Sequence, residues 1–235
     1  MTGTGSAASP EPPASGTLAG VTSPSPFPDG FFDRSDPSPD GEFYTPTRLV
    51  THIDDGAIAA VGDLYAELGL DGASGEPRRV LDLMSSWISH LHSAPAELIV
   101  LGMNAAELDA NPMATERIVQ DLNLDPRLPL PDASVDGVVC CVSVDYLVRP
   151  VEVLAEAARV LRPGAPVALT FSNRCFPSKA IRGWLATDDE QHCAIVSEYL
   201  RQAGGFTEAE ASLRTPGGRY RGDPLYAVVA RRLGG

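Results

Sequence analysis

The sequence predicts an α/β fold built on a doubly wound, mainly parallel sheet. Three observations carry this. Apolar runs at residues 80–83, 98–101, 137–144, 167–171 and 225–230 read as strands. Helical patterns fall between them, and such alternation implies a parallel sheet covered on both faces. A length of 235 residues suits one sizeable domain with an appendage.

Taken in order, residues 1–41 stand apart. They hold eight of the 21 prolines and six of the 22 glycines. Such a segment buries too little apolar surface to offset its ordering entropy, so a disordered tail is expected. Its Phe31-Phe32 pair is either a docking point or two apolar residues within the tail. Residues 42–75 read as a helical cap. Thr45 caps it, Pro46 suits its first turn, and Gly69 ends it. Leu49, Ile53, Ile58, Val61, Leu64 (or Tyr65) and Leu68 recur between them at helical spacing. Residues 76–235 form the main domain. Helices are expected at 86–92, 105–108, 151–161 and 190–203, the last followed by Gly204-Gly205. No internal repeat is visible.

Composition excludes several partners. With 18 basic against 31 acidic residues the net charge is −13. Phosphate backbones and anionic membrane surfaces require clustered Lys and Arg, which are absent, so neither nucleic acid nor membrane is expected. No apolar run reaches the roughly 20 residues that cross a bilayer, and the N-terminus lacks a secretory pattern. Cys140, Cys141, Cys175 and Cys193 match neither a zinc site nor a disulfide framework, which suggests reduced thiols in the cytoplasm. On the expected helix, His90 and His92 would point apart, and no third ligand is evident, so no metal is assigned.

Four pieces fall in a recognisable order. Asp82 closes the first strand in "RRVLDLMSSWISHLH" (78–92), "GMNAAEL" (102–108) follows the second, "VQDLNLDPRLPLPDASVDGVVCCVSVDYL" (119–147) runs into the fourth, and "RVLRPGAPVALTFSN" (159–173) supplies a helix, a turn and the fifth. Together they resemble the class I S-adenosylmethionine-dependent methyltransferases, in the small-molecule branch of the type 11 domain. The resemblance covers roughly residues 78–232 and implies a Rossmann-like sheet of seven strands whose last strand is antiparallel, with cofactor at the carboxyl ends of the strands. It implies that Asp82 orients the methionine amino group and that Met84, Ser85, Ser86 and Trp87 lie against the amino-acid moiety. It places Asn104 at the ribose, where an acid is usual. Asp121 and the Leu122 N–H would face the adenine, and Ser143 to Tyr146 the sulfonium.

The turn after Asp82 departs from the family pattern because it contains no glycine. Glycines there supply positive φ and close backbone approach. Ser85 or Ser86 is expected to cap the next helix, whose N–H groups would then face the cofactor carboxylate. Asn104 keeps an acceptor oxygen but loses the charge, and Glu107 is a nearby substitute.

Methyl transfer demands position and desolvation, and a base only when the acceptor carries a proton at neutral pH. Catalytic candidates therefore come from location. Asp145 is either a base, a support for a polar acceptor, or a capping carboxylate. Tyr146 either acts beside it or packs. Asn173 and Arg174 follow the fifth strand, and the Arg174 fork suits an acceptor carboxylate or a capping role. Cys175 is either a reactive thiol or structural. The family's N-terminal helix often forms a lid, which makes Tyr44 and His52 substrate-contact candidates. Two functions remain: methyl transfer to a small molecule, oligomeric state undetermined, or a catalytically silent module of the same fold. A dehydrogenase lacks its G-x-G-x-x-G fingerprint.

Overall fold

The computed structural model describes residues 1–2, 26–217 and 221–234. Strands β1 (Arg79–Leu83), β2 (Glu97–Gly102), β3 (Glu116–Val119), β4 (Gly137–Cys141), β5 (Pro166–Phe171), β6 (Glu210–Leu213) and β7 (Tyr226–Arg231) form one sheet. Their order is β3-β2-β1-β4-β5-β7-β6. The first five are parallel, and β7 runs antiparallel to both β5 and β6. The Rossmann-like sheet with an antiparallel last strand is therefore the observed fold. Strand order reverses between β1 and β4, which opens a crevice at their carboxyl ends.

Helices cover both faces. They are α1 (Asp40–Tyr44), α2 (Asp55–Glu67), α3 (Ala105–Asp109), α4 (Pro150–Val160), α5 (Arg182–Leu185) and α6 (Asp189–Ala203). Leu81, Leu83, Val138 and Leu169 pack against Val153 and Leu154 of α4 and Val196 and Leu200 of α6. The alternate residues Val80, Val100, Val139 and Ala168 meet Ala57, Val61, Leu64 and Tyr65 of α2. Each fully buried Val or Leu among them contributes about 1.5–3 kcal/mol by leaving water. A capping box between Asp188 and Gln191 starts α6, and Gly204, at φ 71°, ends it.

Four expectations need correction. The cap is not one helix from Thr45. Asp54 accepts from the Ala57 N–H and starts α2 at Asp55, while Thr45 ends α1 and donates its hydroxyl to the Gly41 carbonyl. Pro46 lies beyond that end, and Leu49, counted in the inward face, is 53% exposed. Residues 45–53 instead form an open strap. The expected helix at 86–92 is absent. Met84 and His90 both sit at φ 54°, a left-handed conformation that no α-helix contains. The expected strand at 137–144 stops at Cys141, because Val142 takes φ 45° and Val144–Tyr146 winds into a 3-10 turn. Strands β3 and β6 complete the expected seven but fall outside the five apolar runs; they lie at the two edges of the sheet and are largely exposed.

The expected tail also ends earlier than residue 41; residues 3–25 lie outside those described. Phe27 packs on Phe31 and Tyr199, with ring centroids 4.7 and 5.3 Å away. Gly183 has no Cβ because the Phe31 ring occupies that space. Lys179, the sole lysine, is 0% exposed. Its ammonium meets Asp36 at 3.0 Å, Asp40 at 3.4 Å and the Ser38 carbonyl at 2.8 Å. Arg34 meets Asp40 at 2.6 Å. This buried cluster anchors the start of the strap.

Candidate functional site

A cavity of about 310 Å³ fills the crevice at the carboxyl ends of β1, β2 and β4. That volume lies at the lower end of small-molecule sites, about 300–1,000 Å³. The loop after β1 forms its floor and the strap its roof. All the residues singled out in sequence line it except Asp145 and Asn173: Asp82, Met84, Ser85, Ser86, Trp87, Asn104, Asp121, Leu122, Ser143, Tyr146, Tyr44, His52 and Arg174.

Asp82 is the deepest acid. It is 3% exposed and accepts the Ser85 hydroxyl at 2.7 Å. Burial pushes its carboxyl up to about 6, opposed by hydrogen bonds from Ser89 and Ser85. Among the described residues no cation reaches it, so a ligand ammonium fits the chemistry of this donor set. The Ser85 N–H also donates to the Leu101 carbonyl at 2.8 Å. The loop can fold this far over β2 because a Cβ on Gly102 would strike the Ser85 carbonyl oxygen.

Asn104 does not present its side chain freely to a ribose. Its carbonyl oxygen caps α3 by accepting the Glu107 N–H at 3.1 Å. Its amide donates to the carbonyls of Tyr44 and Thr45 at 3.0 and 3.1 Å. The acid of this wall is Glu107, which accepts the Ser86 hydroxyl at 2.6 Å and the Arg48 N–H at 2.7 Å. Trp87 donates its indole N–H to the Val50 carbonyl at 3.0 Å. The floor is thus tied to the roof through Trp87 and through the Glu107 bridge, and the Asn104 wall through its amide. On the far wall Asp121 accepts the Asn123 N–H at 2.9 Å.

Tyr146 lines the cavity at the end of β4, and its hydroxyl accepts the Phe176 N–H at 2.8 Å. Burial, reinforced by the Asp145 carboxyl, holds this phenol far above its usual range, so it is no base. Asp145 itself is 3% exposed, outside the cavity lining, with an Oδ2 that has no hydrogen-bond partner among the described residues. Burial pushes its carboxyl up to about 8. Within the tight 3-10 turn Tyr146 faces the crevice and Asp145 is turned away from it. Asn173 is exposed outside the cavity beside the Ser172 hydroxyl. Cys175 lines the cavity, but burial and Asp145 raise its thiol, which disfavours the reactive thiolate.

His52 stacks edge-on against Phe176 at 5.3 Å. Burial lowers the pKa of His52 and brings that of His90 down to about 4, so both imidazoles are neutral at pH 7. Among the lining residues that sequence reasoning did not assign to the site are Arg48, His90 and Phe176. No motif marks them. The only signal was the concentration of polar and aromatic residues in the strap and in the loop after β5.

Residues 87–169 match a family model described as a methyltransferase domain. A malonyl-[acyl-carrier protein] O-methyltransferase of Methylococcus capsulatus is 26% identical over 200 residues, covering 72% of this chain and 71% of that protein. Among solved structures, a methyltransferase dependent on S-adenosylmethionine from Aquifex aeolicus superposes with a TM-score of 0.54 at 17% identity, covering 77% of this chain and 95% of that one. The [4+2]-cyclase SpnF gives 0.54 at 18%, covering 81% and 90%.

Proposed function

We infer that this chain, which belongs to the class I S-adenosylmethionine-dependent methyltransferases, transfers a methyl group to a small-molecule acceptor in the cytoplasm. The observation that carries this reading is the set of three carboxylates, Asp82, Glu107 and Asp121, around one crevice at the sheet's switch point. When bound, S-adenosylmethionine supplies a methyl group on a positively charged sulfur. Asp82 would hold its ammonium, Glu107 its ribose, and Asp121 with the Leu122 N–H its adenine. Met84 supplies in strained form the left-handed turn that a glycine gives cheaply, so the glycine-free loop serves as a variant of the usual one. The strap excludes water above the site. The name of the Methylococcus relative supports oxygen as the methylated atom.

A second reading is a silent module that binds without transfer. The engagement of both ends of the Asn104 side chain favours it, and a fold shared with a cyclase does not fix the reaction.

Calorimetric titration with S-adenosylmethionine and S-adenosylhomocysteine tests the first reading. Micromolar binding, lost in Asp121→Ala, is expected. Absence of heat and of thermal stabilisation would overturn it. Binding without turnover across hydroxyl, amine, thiol and carboxylate acceptors would favour the second reading.

A further inference from the structure

We propose that Arg48 is the anchor for a carboxylate on the acceptor, so that the substrate is a small carboxylic acid. This rests on the methyltransferase reading above. Arg48 lies on the strap and lines the cavity, where it is half-buried. Its guanidinium carbon sits 4.8 Å from the centroid of the Phe43 ring and 6.0 Å from that of Phe176. One of its nitrogens, Nη2, donates to the Phe43 carbonyl at 2.9 Å. Aromatic packing and this bond fix the plane of the fork. Among the described residues no carboxylate lies within ion-pair distance of it, although its own backbone N–H is bonded to Glu107. A half-buried guanidinium without an anion leaves donors to be satisfied.

The distribution of charge points the same way. The acids left for the cofactor are Asp82, Glu107 and Asp121, and Asp40 is already neutralised by Arg34 and Lys179. Around Phe176 lie Arg48, with its guanidinium carbon 6.0 Å from that ring, and the uncharged His52 at 5.3 Å, while Arg174, two residues earlier in the chain, also lines the cavity. Arg174 is exposed at the rim and only loosely engaged by Asp223, at 3.8 Å. This half of the cavity complements an anion.

The reacting end also lacks a strong base. Tyr146 and Asp145 are held protonated by burial, and burial weakens His52 and His90 as bases. An acceptor that arrives already ionised needs none. The transfer then balances without a proton. A carboxylate lone pair forms the O–CH3 bond, the methyl–sulfur bond breaks with its electron pair remaining on sulfur, and anion plus sulfonium become ester plus neutral thioether. The ester no longer pairs with Arg48, which favours its release.

The test is titration calorimetry of the full chain with sodium malonate and sodium benzoate, each against its neutral amide, malonamide or benzamide. It is run with and without saturating S-adenosylhomocysteine. Wild-type protein is expected to bind at least one carboxylate saturably and neither amide. Arg48→Gln should weaken that binding about tenfold or more while leaving S-adenosylhomocysteine affinity unchanged, and Arg48→Lys should fall between. Failure of both carboxylates to bind, equal binding by Arg48→Gln, or loss of S-adenosylhomocysteine affinity in a folded Arg48→Gln protein each overturns the proposal. The last outcome would assign Arg48 to the cofactor. Failure of wild-type protein to bind S-adenosylhomocysteine sinks the underlying reading and is scored apart, because the carboxylate arm without cofactor still reports on Arg48.

Discussion

The Ser86 hydroxyl donates to the Glu107 carboxylate at 2.6 Å, and the other oxygen of that carboxylate accepts the Arg48 N–H at 2.7 Å. One acid therefore joins the glycine-free loop, α3 and the strap. No helix follows this serine for it to cap, and its hydroxyl turns instead to an acid. Glu107→Ala removes the acid of the ribose wall and leaves two donors without partners. Cofactor affinity should fall tenfold or more and stability by about 1–3 kcal/mol, read by calorimetry and urea unfolding.

Asn104→Asp, which supplies the acid that the resemblance leads one to expect at the ribose, should not improve cofactor binding. The carbonyl oxygen that caps α3 survives the change. The amide donors to Tyr44 and Thr45 do not, and a carboxylate would face two carbonyl oxygens at about 3 Å. We expect a lower Tm and equal or weaker binding of S-adenosylhomocysteine. Tighter binding in the variant would mean that the strap moves aside to expose this position.

Much of this architecture was legible in the sequence. The apolar runs mark five of seven strands, four parallel and the antiparallel β7, because these inner strands are buried over most of their length and read as hydrophobic stretches. Edge strands β3 and β6 bury little and leave no such trace. Asp82, Asp121 and Tyr146, which all line the crevice, were singled out through the motifs that carry the family resemblance. Arg48 was not, because its role depends on where the strap crosses the sheet, which is set by contacts as distant as Arg34 and Lys179. The false helix at 86–92 shows the limit of local pattern. Ser85, Ser86 and Trp87 each satisfy a partner elsewhere, and those tertiary bonds override helix propensity.

Strain is concentrated at the crevice. Of the four non-glycine residues at positive φ among the described residues, Met84, His90 and Val142 line the cavity, while Ala133 lies in an exposed turn. Ala133→Gly relieves the conformation at the cost of one exposed methyl and should stabilise by up to about 1 kcal/mol, with cofactor affinity unchanged. Chemical denaturation reads the first quantity and calorimetry the second.

Lys179 and Asp40 are buried together, with Arg34 as a second partner for the acid. Lys179→Met should cost about 3 kcal/mol, the low end for a broken buried pair, because Arg34 still compensates Asp40. The loss should be local at first. Limited proteolysis would then cut in residues 26–52 before the sheet unfolds. A variant as protease-resistant as wild type would show that the aromatic cluster of Phe27, Phe31 and Phe32 holds the segment alone.

The raised carboxyl of Asp82 sets opposite pH dependences for stability and for binding. Its folded value of about 6 lies above the ordinary 3.8, so the native state prefers the protonated acid. The cost is absent below pH 4, grows as pH rises through the folded value, and is complete above it, at roughly 2–3 kcal/mol. Asp145, raised to about 8, adds in the same direction up to a higher pH. The unliganded protein should therefore gain from these two groups as pH falls from 8 to 5. A cationic ligand needs the ionised Asp82, so cofactor affinity should hold above pH 7 and decline below 6. Asp82→Asn separates the two effects. It should raise the Tm of the unliganded protein at pH 7, weaken S-adenosylhomocysteine binding, and flatten the affinity profile between pH 5 and 7. A variant that keeps the wild-type profile would place the titrating group elsewhere, with Glu107 the next acid to test.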